Sequence, residues 1–295
     1  MTASIVARDS ATRELGAAVF TAWPAVGGVV PFVQPGVGAV ATQSFVEISF
    51  GPRALELMGQ GVGAADAVEQ LIASDPKPAV RQLGVQAANG DSAGFTGEAC
   101  VPKAGEATGA DCRCQANMMA SEGVPEAMAE AFDAADDELA VRLLASLEAG
   151  QAAGGDARGQ MSAALMVAPP EGEPWRRSVD LRVDYHEDPL PQLSRSLRLH
   201  RAYELLEVAE DRAEAGDQKG AMRAGIDAVG LSDENPQLLL WLGLGAADGD
   251  LEVGLNLVRR ALELQPTLAD FLTRLTNDVA PSASAVQAGL RAESK

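Results

Sequence analysis

The order of apolar and polar positions predicts groups of short strands that alternate with pairs of amphipathic helices over the first two thirds of the chain. Runs of β-branched and small apolar residues predict the strands, and Asn89-Gly90 predicts a type I′ turn between two of them. Apolar residues at helical spacing predict the helices. The predicted strands are 2–8, 15–21, 36–43, 80–88, 92–96, 112–118, 162–168 and 178–185, and the predicted helices are 51–58, 64–74, 125–135 and 138–149.

The pairing of the helices indicates the fold class. Single helices between strands would favour a doubly wound parallel sheet, whereas here the helices come two at a time. Antiparallel sheets with a helix pair on each outer face fit this order. We therefore expect an α+β fold, a four-layer αββα sandwich, over residues 1–195.

Beyond Pro189 and Pro191 the pattern becomes entirely helical, so residues 196–295 are predicted to form a separate all-α domain. The pair Gly216-Asp217 interrupts this pattern and recurs at 249–250, and along the same offset Ala228 falls on 261. A period of about 34 residues is typical of tetratricopeptide-like helical repeats.

Only about two such repeats fit, and a free-standing array generally needs three or more. We therefore expect an apolar face that includes Leu206, Trp241 and Leu257 to be buried on the first domain, on another protein or on a second copy of the chain. This interpretation predicts a homo-oligomer or a protein partner that binds through the C-terminal helices.

The net charge of -19 disfavours several classes of partner. Such an excess of acidic residues repels a phosphate backbone, so we expect no nucleic-acid binding. The same charge disfavours docking to an anionic membrane, and no apolar run of about 18 residues predicts a transmembrane helix. The N-terminus lacks a basic segment followed by an apolar one, so we expect no signal peptide and a cytoplasmic location.

The three cysteines predict neither a disulfide framework nor a metal site. Their number is small and odd for a chain of this length. Cys112-Arg-Cys114 could supply half of a metal site, but His186 and His200 are the only histidines in the chain. Reduced structural thiols are favoured, and we expect no metal and no cofactor.

Thr2 is a candidate nucleophile. Thr2 is small, so the initiator Met1 is expected to be removed, and this removal exposes the α-amino group of Thr2. A free amine can accept the proton of the threonine hydroxyl. An α-amino group titrates near ~7.7–8.0, so part of it is neutral at cellular pH. The competing interpretation is an ordinary chain start, since Met-Thr is a common beginning.

Several sequence motifs occur in order along the first two thirds of the chain, among them Ser4-Ile-Val-Ala-Arg-Asp9 and Ala153-Gly-Gly-Asp156. Through these motifs the chain resembles, over about residues 2–190, the family known as domain of unknown function 1028. The resemblance implies an N-terminal-nucleophile (Ntn) hydrolase fold, amide-bond hydrolysis and a threonine at the start of the first strand. The remaining matching segments are 14–19, 24–27, 36–43, 51–53, 95–97, 115–117, 158–160 and 180–184.

Polar residues near predicted strand ends and loops are candidate partners of Thr2. Asp156 and Arg158 in a glycine-rich loop could clamp a substrate carboxylate, or could form an internal ion pair that fixes the loop. Thr42 and Gln43 end a strand expected beside the first one. Their side chains or amides could orient the Thr2 hydroxyl or bind substrate.

Two further positions could stabilise an oxyanion. The side-chain amide of Asn117 could donate to it, and so could backbone N–H groups at Thr96 and Gly97. The alternative for Asn117 is a structural amide at a strand end. The chain has no lysine before Lys77, so activation of Thr2 would depend on its own amine and on neighbouring polar groups.

Two hypotheses of different classes follow. In the first, the protein is an amidohydrolase that uses Thr2 on a small-molecule amide or an acylated amino acid. In the second, the αββα domain is not catalytic and binds a ligand or a protein, and the helical repeats form an interaction or oligomerisation surface.

Overall fold

The structure is a computed structural model that describes residues 2–293. Contacts between residues divide the chain into two compact units, residues 1–195 and residues 196–295. The first unit combines strands and helices, and the second is helical. The α+β class predicted from the order of apolar segments is confirmed.

The first unit contains two antiparallel sheets. One has six strands in the order β10-β9-β2-β1-β8-β7, and the other has four in the order β3-β4-β5-β6. The first strand of the chain therefore lies inside the larger sheet, between β2 and β8. The strands are β1 (Thr2–Arg8), β2 (Leu15–Thr21), β3 (Pro31–Gln34), β4 (Gly38–Ser44), β5 (Arg81–Ala87), β6 (Ser92–Thr96), β7 (Gly105–Thr108), β8 (Cys112–Asn117), β9 (Ser162–Ala168) and β10 (Val179–Val183).

Each sheet carries two helices on one face and contacts the other sheet through its opposite face. Helices α1 (Phe50–Gly59) and α2 (Ala64–Ser74) pack on the four-stranded sheet. Helices α3 (Val124–Ala134) and α4 (Leu139–Ala152) pack on the six-stranded sheet. Because side chains alternate along a strand, each buried strand supplies both a helix-facing and a sheet-facing set.

Leu83 of β5 illustrates this alternation. It packs with residues of α1 and α2 in one apolar cluster. The sheet-facing positions Val6, Val19 and Ala41 belong to a second cluster, which lies between the sheets. Alanine and valine make up nearly all of this second cluster, which allows the two sheets to approach closely.

The second unit is an array of helices, and its first helix begins before the boundary, in residues of the first unit. The helices are α5 (Pro189–Glu214), α6 (Gln218–Leu231), α7 (Pro236–Ala247), α8 (Leu251–Leu264), α9 (Leu268–Arg274) and α10 (Ala283–Glu293). Helix α8 begins 33 residues after the start of α6 and ends 33 residues after the end of α6. Asp217 and Asp250 cap the two helices by accepting backbone N–H hydrogen bonds, and Ala228 and Ala261 are both fully buried.

The apolar face predicted in this region is covered in part by the unit's own helices. Leu206 is buried in a cluster with residues of α6 and α7, while Trp241 and Leu257 are half-buried. The indole of Trp241 also meets the ring of Phe271 edge-on, with 6.2 Å between centroids. Residues of α9 and α10, such as Leu272, complete the packing.

Several local predictions were wrong. Asn89-Gly90 does not form a type I′ turn, because Gly90 has a positive φ and Asn89 does not. The amide of Gly90 donates to Ala87 O, as in the longer hairpin loops that end on a glycine. The strand predicted from Gly36 begins at Gly38 instead, since Gly36 has φ +67°.

The prediction also missed β3 and β7. Each has only four residues, and each lies at the edge of its sheet, where half of the backbone groups need no partner strand. Short edge strands carry little apolar periodicity, so the sequence pattern gives no signal for them.

No helix among the described residues is long and apolar enough to cross a membrane.

Candidate active site

Thr2 is the first residue of β1, and its side chain is 7% exposed. In the sheet it lies opposite Thr21 of β2 and Asn117 of β8. Its hydroxyl oxygen is 3.2 Å from that of Thr21, and either can donate. The removal of Met1, on which the nucleophile hypothesis depends, lies outside the described residues.

Gln43 connects Thr2 to the opposite sheet. Its Nε2 atom lies 3.3 Å from the carbonyl oxygen of Thr2 and 3.1 Å from that of Gln115, and both are acceptors. Its Oε1 atom accepts from Ser4 Oγ at 2.7 Å. Gln43 is 1% exposed, so these bonds fix the start of β1 against β4 without competition from water.

Gln82 of β5 organises the next part of the network. Its Nε2 atom donates to the carbonyl oxygens of Gly105 and Ala116, at 3.2 and 2.9 Å. Carbonyls only accept, so the orientation of this amide is determined, and its Oε1 atom must be an acceptor. That oxygen accepts from Gln43 Nε2 at 2.7 Å and from Asn117 Nδ2 at 2.9 Å.

The orientation of Asn117 follows from that of Gln82. Because its Nδ2 donates to Gln82, its Oδ1 atom is directed elsewhere, and this buried oxygen has no hydrogen-bond partner among the described residues. An oxyanion needs a donor, whereas the unused atom here is an acceptor. The geometry thus favours a partner that carries an N–H group.

The structure places the other predicted residues differently. Thr42 alternates with Gln43, so it lies on the helix-facing side of β4, where its hydroxyl donates to Glu47 O at 3.2 Å. Thr96 belongs to the network, since its Oγ1 accepts from Gln82 Nε2 at 3.0 Å. The N–H of Gly97 donates to the carbonyl of Arg81, which leaves it unavailable for an oxyanion.

The glycine-rich loop reaches the same strand ends. One carboxylate oxygen of Asp156 accepts from the N–H of Ala22, next to Thr21, at 2.9 Å. The other accepts from the N–H of Arg158 at 2.8 Å, and the guanidinium of Arg158 lies 3.3 Å from the carboxylate. Asp156 is buried, while the side chain of Arg158 is 44% exposed, so only the arginine is open to solvent.

Sequence reasoning missed three members of the network: Ser4, Gln82 and Gln115. All are fully buried, and Gln115 Nε2 donates to Ser4 Oγ at 2.8 Å. Gly84 makes room for them, because a Cβ there would lie 2.2 Å from Gln115 Oε1. The available signal was a set of polar residues at alternate positions in strands that are otherwise apolar.

The cysteines lie away from this network. Cys112 and Cys114 alternate with Gln115, on the helix-facing side of β8, and all three cysteines are free and buried. Burial raises the pKa of the Cys114 thiol well above its ordinary value, which disfavours the thiolate that a metal or an electrophile would need. Among the described residues, no group of three or more His, Cys, Asp or Glu could hold a metal.

Fold and site together define an α+β protein with two antiparallel sheets and a buried amide network at the start of its central strand. The chain matches the family of unknown function DUF1028 over residues 2–193, and it belongs to that family.

A crystal structure of protein SPO2555 from Silicibacter pomeroyi, assigned to the same family, matches with 35% sequence identity and a TM-score of 0.62. The match covers 67% of this chain and 84% of that one. Anbu (ancestral beta-subunit) from Yersinia bercovieri matches with a TM-score of only 0.31 at 12% identity, over 65% of this chain and 90% of that one. No curated protein matches the chain.

Proposed function

We propose that the protein is an amidohydrolase whose nucleophile is Thr2, exposed by removal of Met1. Its substrate is a small amide or an acylated amino acid. The observation that carries this proposal is the position of Thr2 at the start of an interior strand, with its carbonyl held by Gln43 and its hydroxyl beside that of Thr21. A nucleophile held in this way loses little freedom on reaction.

The proposed reaction has two steps. The Thr2 oxygen forms a bond to the amide carbonyl carbon, the C–N bond breaks, and the hydroxyl proton passes through the α-amine to the leaving nitrogen. Water then attacks the ester on Thr2, which releases the acid and restores the hydroxyl. The net reaction consumes one water and yields an acid and an amine.

Asn117 has a specific role in this proposal. It lies directly across the sheet from Thr2, and its buried Oδ1 atom is an acceptor without a partner in the described part of the chain. A chain that begins at Thr2 has an α-amino group able to donate to that oxygen. This bond would orient the amine toward the hydroxyl.

We further propose that the layers of the first unit form the αββα sandwich of Ntn hydrolases. Two helices on the outer face of each of two facing sheets support this assignment. For the second unit we propose tetratricopeptide-like repeats that mediate homo-oligomerisation. The 33-residue shift between α6 and α8 supports the repeat, and exposed Met222 and Ile226 on one face of α6 support a contact surface.

A screen of wild-type protein against a panel of amides, lactams and acylated amino acids tests the enzymatic proposal. Thr2→Ala is expected to reduce turnover of any hit by at least about 10³-fold, and Thr2→Ser is expected to retain part of it, because hydroxyl and amine survive. Unchanged turnover by Thr2→Ala would exclude Thr2 as the nucleophile. Circular dichroism of both variants controls for folding.

The second candidate function is a binding protein without chemistry. One observation favours it: Asp156 and Arg158, the charged residues brought near Thr2 by their loop, are paired with each other. In that case the panel would show binding without turnover, and Thr2→Ala would leave affinity unchanged.

A further inference from the structure

Large apolar side chains are exposed around the proposed site. We define the apolar rim as Trp23, Phe45 and Val101, which are 64%, 59% and 38% exposed. Scattered exposed apolar residues are normal on a protein surface, but a group of them at one place marks a binding site. Trp175, on the connection between β9 and β10, is 75% exposed and serves as a comparison.

Two members of the rim extend directly from residues that contact Thr2. Trp23 follows Thr21 by two residues, and the hydroxyl of Thr21 lies 3.2 Å from that of Thr2. Phe45 follows Gln43 by two residues, and Gln43 binds the carbonyl of Thr2. Two residues of chain span at most about 7 Å, so Trp23 and Phe45 each begin within that distance of a residue that contacts Thr2.

Val101 approaches from the third side. Its carbonyl accepts from the N–H of Met118, which follows Asn117, the partner of Thr2 in β8. The three backbone segments that border Thr2 therefore each lead to an exposed apolar side chain.

The same loop brings a cation to the site. The carbonyl of Lys103 accepts from Met119 N–H, and its ammonium donates to Ala120 O. Ala120 lies three residues beyond Asn117, at most about 11 Å along the chain. Within the described residues Lys103 is exposed and forms no ion pair, although the chain as a whole carries a net charge of -19. An ammonium that has no carboxylate partner and lies beside a polar site is suited to bind a carboxylate.

We propose that the substrate is an N-acylated amino acid with a large apolar side chain and a free carboxylate, a proposal that rests on the proposed function. The apolar rim contacts the side chain, and Lys103 binds the carboxylate. The scissile amide then lies between them, over Thr2. Lys103 and the apolar rim determine specificity and take no part in the bond changes.

The test measures binding separately from turnover, by calorimetry on the Thr2→Ala protein. The probes are N-acetyl-L-phenylalanine, its neutral amide N-acetyl-L-phenylalaninamide, and N-acetylglycine, which lacks the apolar side chain. We expect the first to bind about five to ten times more tightly than either of the others, from the loss of one charge-assisted contact or one apolar contact. Equal affinities would overturn the proposal.

Matched variants assign the preferences to residues. Lys103→Gln should abolish the preference for the acid over the amide, and Lys103→Arg should keep it. Trp23→Ala should abolish the preference for phenylalanine over glycine. Two exposed residues outside the rim and its loop, Trp175 on the β9–β10 connection and Lys219 on α6 of the second unit, supply the controls, and Trp175→Ala and Lys219→Gln should change neither ratio. If Lys103→Gln leaves the acid preference intact, the carboxylate assignment is wrong.

Two further outcomes separate this proposal from the one on which it rests. If the binding pattern holds but wild-type protein hydrolyses none of the bound compounds, the proposed function fails and the binding assignment stands. If wild-type protein hydrolyses other amides while none of the three probes binds, the substrate assignment fails and the hydrolase stands. A fall in solution mass on Trp23→Ala would assign the rim to a contact between copies and overturn the proposal.

Discussion

The space between the two sheets is apolar in one part and polar in the other. Around Val6, Val19 and Met166 it is filled by aliphatic side chains, as in an ordinary protein core. Around Thr2 it is filled by side-chain amides, and Gln43 and Gln82 are as deeply buried as the aliphatic residues. The same two sheets therefore enclose two kinds of interior.

The difference shows what each part contributes. Apolar burial stabilises the fold without fixing any single contact, whereas a buried amide stabilises it only when its hydrogen bonds are made. Gln82 makes bonds to both sheets, and two buried acceptors of the network, Asn117 Oδ1 and Gln115 Oε1, have no partner among the described residues. The polar part thus specifies the position of the strand start, and the apolar part supplies stability.

Of the variants that test this comparison, Gln82→Leu is expected to reduce stability and turnover the most. It leaves the buried amides of Gln43 and Asn117 without their shared acceptor, which should cost about 3 kcal/mol of unfolding free energy. It should also reduce turnover at least about tenfold, because Asn117 loses its orientation. Urea denaturation and steady-state kinetics measure the two effects.

Gln86→Leu is the matched control. Gln86 lies on the same strand and the same face, is equally buried, and donates to carbonyls at the β5–β6 turn rather than to the network around Thr2. Its loss should reduce stability and leave turnover unchanged. Equal loss of turnover in both variants would remove the distinction between the two regions.

Val19→Ala tests the apolar part. Val19 is fully buried in the cluster between the sheets, so removing two methyl groups should cost about 2 kcal/mol of unfolding free energy. Turnover at a temperature where the variant is folded should stay within about twofold of wild type. A large drop in turnover there would show that the apolar part also positions the site.

Asp75→Asn should give the smallest effect, and one that depends on pH. The hydrogen bond from Arg81 holds the pKa of Asp75 below its ordinary value, and Arg81 also donates to the carbonyl of Phe45 in the apolar rim. A lowered folded pKa gives stability that is full above the unfolded pKa of about 3.9 and lost as pH falls through the folded value. Wild type should exceed the variant by about 1 kcal/mol at pH 7.

Thermal unfolding of both proteins at pH 7 and in steps below pH 4 measures this effect. The difference in Tm should shrink as the pH falls. A difference that stays constant down to pH 2 would mean that the ion pair contributes nothing beyond the shape of the side chain.

The sequence predicts the strands and helices of the first unit well where apolar periodicity is strong. The segments 2–8, 15–21, 64–74, 92–96 and 162–168 have the predicted bounds, because buried strands and amphipathic helices repeat their apolar residues regularly. β3 and β7 lack that regularity, since they are short edge strands. The helical region predicted from residue 196 begins earlier, at Pro189, because proline is tolerated in the first turn of a helix.

The candidate site is less predictable from the sequence than the fold. Gln43, Thr96 and Asn117 are candidate site residues in the sequence, and the structure brings them into one network. Thr96 enters it through its hydroxyl, whereas the sequence suggested its backbone N–H. Ser4 and Gln115 were not identified, because a polar residue at an alternating position also suits a strand with one solvated face. Which face of β4 is directed toward Thr2 depends on the pairing of two sheets, and a linear pattern does not contain that information.

The state of the N-terminus tests the central claim most directly. Intact-mass measurement and N-terminal sequencing of the purified wild-type chain should find Thr2 as the first residue. A chain with one leucine inserted before Thr2 retains its initiator methionine, because a bulky second residue blocks its removal. That protein should fold as wild type does and lose nearly all turnover, because the α-amine of Thr2 is an amide. Equal turnover by the two chains would contradict the assignment of Thr2 as an N-terminal nucleophile.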